Sequence, residues 1–235
     1  MAIIYSDTPY QAIHKFGNNL DVDSNTTPED CWSVGGVYVF PSSAATVTVS
    51  SDDADDTSAG TGARTVQIYG LDANFEQIDE TLTMNGVTGV TSSNSYLRVF
   101  RMKVITAGTT ETNEGTISTV HGATTVAEIP AGKGQTLMAV YTTPANRKAY
   151  LVAWNFSAEK SRAAVLSVSL EMRTDGGAWQ TKETESVNTD GAGRFNTTFP
   201  IALRVPEKTD IRLRVTSNTA NDVAVHGGFD LQLVT

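Results

Sequence analysis

The chain alternates. GGVYVFP (35–41) and ATVTVSS (45–51) each place apolar side chains at every second position, the signature of a half-buried strand. The rhythm returns in RTVQIYG (64–70), where Val66 and Ile68 share a face, and in 76–84, with Ile78 and Leu82 directed inward. In 96–105 the face carrying Tyr96, Arg98, Phe100, Met102 and Val104 is the more apolar, so Arg98 needs a carboxylate partner or a rim position. In the second half, LSVSLEM directs Leu166, Val168, Leu170 and Met172 to one side, and IRLRV directs Ile211, Leu213 and Val215 inward with Arg212 and Arg214 outward.

Turn chemistry separates these runs. Asn85-Gly86 and Thr174-Asp-Gly-Gly177 are hairpin turns, because Asn and Gly tolerate positive φ. Leu71–Phe75 is a short connection, and Ser92–Ser95 reads as a further turn. No stretch has the period of a long amphipathic helix. The expected fold class is all-β with two domains. Residues 34–125 form an N-terminal antiparallel, barrel-like domain, and residues 126–235 a C-terminal jelly-roll-like β-sandwich of about eight strands. The Gly- and Pro-containing segment HGATTVAEIPAGKGQ (121–135) places the boundary. Residues 1–33 alternate poorly and read as an irregular N-terminal arm whose aromatics, Tyr5, Tyr10 and Phe16, would pack on a neighbouring domain or subunit.

Composition narrows the function more by exclusion than by indication. The 235 residues are 40% hydrophobic, enough for sizeable cores. A net charge of −9 argues against nucleic acid, whose binding needs Lys and Arg to displace condensed counterions. No apolar run is long enough to cross a bilayer, so no membrane partner is expected. The opening MAIIYSDTPYQ lacks the basic and apolar regions of a secretory signal, so the expectation is synthesis in the cytosol without Sec-type export. Cys31 stands alone, which rules out an internal disulfide and reads as a small buried hydrophobe.

No catalytic constellation emerges. His14, His121 and His226 are far apart and lack metal-ligand spacing. No nucleophile elbow is present. The segment Gly60-Thr-Gly62-Ala-Arg64 precedes a strand and lacks the lysine of a phosphate loop. Its neighbours Asp52, Asp53, Asp55 and Asp56 would repel phosphate. They form an acidic loop suited to a partner contact, with weak calcium binding as the less favoured reading. Asp21-Val-Asp23-Ser-Asn25 imitates a calcium loop, but Thr26 replaces its glycine and Trp32 its bidentate glutamate. Among the aromatics, Trp154 reads as core, and Trp179, just past a turn, is the better candidate for a ligand or partner contact. No catalytic, metal or cofactor residues are expected.

Three stretches carry a resemblance: PEDCWSVGGVYVFP (28–41), DDTSAGTGARTVQIYGLDANFEQIDETLTMNG (55–86) and SNSYLRVFRMKVITAG (93–108). Through them residues 14–120 resemble a family of virion structural proteins of tailed, notably marine, bacteriophages. The turn Asn85-Gly86-Val-Thr-Gly-Val departs from the commonest form of that family. The resemblance implies a non-enzymatic building block with no cofactor, located in the virion and assembled in the host cytoplasm. A capsid decoration (cement) protein is the first expectation, a homo-oligomer with a trimer favoured, bound to the major capsid protein or other virion proteins. A tail or head–tail connection component comes second, and a host-glycan or receptor-binding module third.

Overall fold

The computed structural model describes residues 10–24, 28–160, 163–190 and 193–234. Tyr5 and the Asn25 and Thr26 positions of the calcium-like string lie outside the described residues. Among the described residues all regular structure is strand. In chain order the strands are β1 (Tyr10–Val22), β2 (Glu29–Asp30), β3 (Ala45–Ser51), β4 (Ala63–Leu71), β5 (Gln77–Thr83), β6 (Val90–Tyr96), β7 (Arg98–Ala107) and β8 (Ile117–His121). They continue with β9 (Thr124–Ile129), β10 (Val140–Thr142), β11 (Lys148–Glu159), β12 (Val165–Thr174), β13 (Gln180–Asn188), β14 (Arg194–Val205), β15 (Thr209–Asn218) and β16 (Val223–Val234).

The second half supplies seven strands of its sandwich, and the eighth comes from the other end of the chain. One sheet has the order β1-β16-β11-β14 and the other β10-β15-β12-β13. Taken as one series, β1 and β10 to β16 pair first with last, β1 on β16, and then inward: β10 on β15, β11 on β14, β12 on β13. The cross-pairs β11–β16 and β12–β15 join these nested hairpins into two sheets. This is a jelly roll. Its interior is filled by Trp154, Phe156, Phe229, Leu151, Leu166, Leu170 and Leu213. Each such burial is worth about 1.5–3 kcal/mol against exposure. The predicted inward faces of β12 and β15 hold, since Leu166, Val168, Leu170, Met172, Ile211, Leu213 and Val215 are all buried.

Part of the irregular arm expected over residues 1–33 is strand. Residues 10–22 are a 13-residue strand that pairs with β16 from Tyr10↔Val234 to Val22↔Val223, with a register shift near its end. Its pattern misleads because polar residues are buried in it: Lys15, Asn18 and Asn19. The run Phe16-Gly-Asn-Asn-Leu20, which reads as a turn, is strand for a steric reason. A Cβ on Gly17 would stand 2.2 Å from the Cys31 carbonyl oxygen and 2.5 Å from the Ala139 nitrogen, so only glycine permits the approach.

Between the first two jelly-roll strands the chain makes a long excursion. Glu29 and Asp30 pair with Val215 and Arg214 on the edge of β15, and the Cys31 amide donates to the Leu213 carbonyl at 2.9 Å. The chain then leaves. It returns at Ala139, whose carbonyl accepts from the Leu213 amide at 3.1 Å, and continues along the same edge as β10. The two passing segments pair with each other, through a Trp32↔Met138 bridge, Ser33 N–H to Leu137 carbonyl (3.0 Å) and Ala139 N–H to Cys31 carbonyl (2.9 Å). Residues 32–138 are thus an insert with adjacent ends, the arrangement that lets one domain interrupt another.

The insert has its own core. Sheets β6-β3-β8-β9 and β5-β4-β7 face each other around Val47, Val49, Val66, Ile68, Met84, Met102, Ile117 and Ile129. Their edges approach, β5 beside β6 and β7 beside β9, which gives a flattened barrel. The strand β9 straddles the division expected at 125/126 and belongs to the insert. Two local expectations change. Residues 92–95 lie within β6, because the Glu80 carboxylate accepts the Ser93 and Asn94 amides (2.9–3.1 Å) and Ser92 Oγ accepts the Val47 amide. Residues 35–40 form no strand, and their role lies at the neck.

Candidate functional site

The best-built polar site is the junction of insert and jelly roll, on the outer face of β12 and β15. Alternation puts Arg212 and Arg214 on that face, and Glu171 and Arg173 beside them. Arg212 and Arg214 are not solvated, as expected of an outward face, because the chain leaving the neck covers them. Arg214 grips Asp30 with two bonds, Nε–Oδ1 at 2.6 Å and Nη2–Oδ2 at 3.1 Å. Arg212 donates twice to Glu171 Oε2, at 2.9 and 2.7 Å. Asp30 also accepts the Tyr38 amide at 2.7 Å, which fixes this segment over the sheet.

A second knot lies on the same sheet. The carboxylate partner required by Arg98 is Asp210. The fork is bidentate, Nε–Oδ1 at 3.0 Å and Nη2–Oδ2 at 3.1 Å, and it joins the insert strand β7 to the jelly-roll strand β15. Thr142 Oγ1 donates to Asp210 Oδ1 at 2.6 Å and Arg173 Nε to Oδ2 at 3.0 Å. Arg98 also donates to the carbonyls of Pro41 and Leu97. The Asp210 carboxylate is nearly inaccessible, and so is the Arg98 side chain.

Aromatic rings connect the two knots. Trp32 meets Tyr38 edge-on (5.1 Å between centroids), Tyr38 meets Phe40 (4.7 Å), and Phe40 tilts against Trp179 (5.3 Å). Guanidinium groups lie over these rings: Arg98 and Arg173 over Phe40, and Arg173 and Arg212 over Trp179 at 4.6 and 3.7 Å. Trp179 is thus half-buried and packed by Arg212, and this covered face is not free to stack on a ligand. Trp154 is core, as its sequence context predicts. Beside the ladder is a cleft of about 670 Å³, bordered by Phe40, Ser42, Phe75, Arg173 and Asp175. Phe75 adopts positive φ (63°) and packs with Leu71 and Leu97 in a small core at the junction.

The acidic loop divides. Asp56 has no exposed surface and so cannot serve as the partner contact expected of it. Its carboxylate accepts the amides of Ala63 (2.6 Å), Glu114 (2.9 Å) and Gly115 (2.9 Å) and the Ser51 hydroxyl (2.6 Å), a satisfied internal anion that organises the loop. Asp52 accepts the Thr116 amide at 2.7 Å and Asp53 the Asp55 amide at 2.8 Å. Asp53, Asp55 and Glu114 bring carboxylate oxygens within 4.8 Å of one another, as do Asp21, Asp23 and Asp222. The sequence gives no sign of Glu114 joining the loop, since it lies some sixty residues downstream and is brought there by the pairing of β3 with β8. Cys31 is buried at the neck, where burial pushes its thiol pKa upward.

The three stretches that carry the phage resemblance coincide with these structural parts. Asp30, Trp32, Tyr38 and Phe40 build the neck and ladder, Asp56 braces the loop, and Arg98 locks the units. Gly35 and Gly36 turn the chain at positive φ (77° and 63°). Comparison with known proteins adds little. No protein-family model matches the chain, and no curated protein matches it. Among solved structures, the VP2 subviral particle of infectious bursal disease virus is similar at 10% identity and a TM-score of 0.24, over 99% of this chain and 74% of that one. The structure of the Gt strain of that virus gives 12% and 0.21 over 99% and 74%, and the Gx strain 11% and 0.23 over 100% and 73%. Likeness this loose supports no inference about what the chain does.

Proposed function

We propose that this chain is a non-enzymatic virion structural protein that decorates and stabilises a phage capsid through symmetric protein–protein contacts. The observation that carries the reading is the architecture: a jelly roll with a packed apolar interior, interrupted by a second β unit that is fixed to it by buried ion pairs. A jelly roll is shared by capsid, lectin and cupin domains, so the fold alone does not decide. Here the jelly-roll cup is filled by Trp154, Phe156 and Phe229, which leaves surfaces rather than the cup to carry function. A two-unit block held in one orientation suits a part that grips a shell with one unit and projects the other. The resemblance of residues 14–120 to phage building blocks points the same way.

Free sheet edges offer the contacts. The outermost strand β14 bulges between Thr198 and Leu203 and presents Ile201 with 88% of its surface exposed. Location of the chain in purified particles by cryo-electron microscopy tests the proposal. A uniform lattice over the head, with trimers in solution by light scattering, is the expected result. Density confined to a vertex or the tail overturns decoration in favour of the tail or head–tail reading. The glycan-binding reading through Trp179 is disfavoured by the guanidinium packed on its ring.

A further inference from the structure

A cleft of about 360 Å³ lies between β1 and the strands β4, β5 and β7. Two groups in its wall are incompletely satisfied. Lys15 is buried, with 6% of its surface exposed, and its ammonium has one hydrogen-bond partner among the described residues, the Phe100 carbonyl. An ammonium carries three donors. Tyr141 is also buried, and its hydroxyl has no partner among the described residues. Its ring packs edge-on against Phe100, 5.0 Å between centroids. Buried polar groups are ordinarily paired, and the exceptions call for an explanation.

The remaining charges around the cleft define what would fit. Burial disfavours the charged form of Lys15, and the nearby Arg101 of β7 adds to this, so the Lys15 pKa falls to about 7. Asp79 of β5 is the acidic group of the wall, and it already accepts from Gln67 at 2.6 Å. His14 is turned to Asp230 on β16. Once Lys15 takes up a proton, two cations and one carboxylate leave a surplus of one positive charge. The other walls are apolar: Ile13, Ile78 and the Phe100 ring.

We infer that this cleft is a binding site for a monocarboxylate with a small apolar body, held by the Lys15 ammonium and the Tyr141 hydroxyl beside Arg101. A single surplus charge matches one carboxylate and not a phosphate dianion. The room beyond the cations, with its apolar walls, suits an organic anion over a bare halide. The carboxylate belongs either to a free small acid or to an acidic side chain of a polypeptide.

Isothermal titration of the full chain at pH 8 distinguishes these, with benzoate, a blocked Ala-Glu-Ala peptide and inorganic phosphate as probes. Saturable binding of benzoate or the peptide, with uptake of up to one proton as Lys15 becomes charged, is the expected result. Lys15→Met weakens it by about tenfold or more and abolishes the proton uptake, and Tyr141→Phe weakens it by roughly three- to tenfold. Thermal unfolding verifies that both variants are folded. Tighter binding of the peptide assigns the carboxylate to a polypeptide, and tighter binding of benzoate to a free acid. The inference is overturned if neither probe saturates, if Lys15→Met binds unchanged, or if phosphate binds more tightly than both.

Discussion

The two faces of β15 solve the same problem by opposite means. Inward, Ile211, Leu213 and Val215 join an apolar core in which any well-fitting hydrocarbon would serve. Outward, Arg212, Arg214 and Asp210 are also buried, but each is held by named partners in fixed geometry. Apolar burial is non-directional and supplies most of the stability. Buried ion pairs return little net stability, because desolvation offsets much of the attraction. What they supply here is orientation, since Arg98 can meet Asp210 in only one docking of the insert on the jelly roll.

The largest effect expected from this contrast is Asp210→Ala. It strands Arg98 and Arg173 and costs about 3–5 kcal/mol in denaturant unfolding. Replacement of all three residues together (Arg98→Met, Arg173→Met, Asp210→Leu) recovers much of that loss, while small-angle scattering detects a looser angle between the units. A single mutant that costs less than about 1 kcal/mol sinks the distinction between the faces.

Leu213→Ala on the inner face costs about 2–5 kcal/mol and, in contrast, leaves the docking angle of the remaining folded molecules unchanged. Lys15→Met sharpens the comparison by testing a buried cation without a carboxylate. The folded-state pKa of Lys15, about 7, lies below its ordinary value of 10.5, so between these the unfolded chain binds more protons and wild-type stability rises with pH. The substitution therefore stabilises by a few kcal/mol at and below pH 7, on the order of the shift, and the gain fades as pH approaches 10.5. Melting curves across that range check it, and a constant gain would refute the assignment. The smallest effect belongs to Ile201→Asp, which alters stability by less than about 0.5 kcal/mol because the side chain touches little, while weakening assembly if β14 is a contact edge.

How legible these features are in the sequence depends on how local their causes are. The inner faces of β12 and β15, the Asn85-Gly86 turn and the need of Arg98 for a carboxylate all follow from neighbours in sequence. The partner of Arg98 does not, because Asp210 is 112 residues away and sits in what reads as a turn. The strand β1 is hidden because its buried positions include Lys15, Asn18 and Asn19, whose burial depends on the neck and on β16. Asp56 looks like its acidic neighbours, and only the return of the chain at Glu114 and Gly115 makes it an internal anion. Trp179 reads as exposed because the arginines that cover it come from β12 and β15.

The pairing of β1 with β16 sets a timetable for synthesis. Residues 10–22 leave the ribosome long before residues 223–234, which are their sheet partner. The insert, by contrast, has all its strand partners once residue 138 has emerged. It can mature while the jelly roll waits with one strand unpaired, so the early danger to this chain is a long-lived open edge, and residues 223–234 close it.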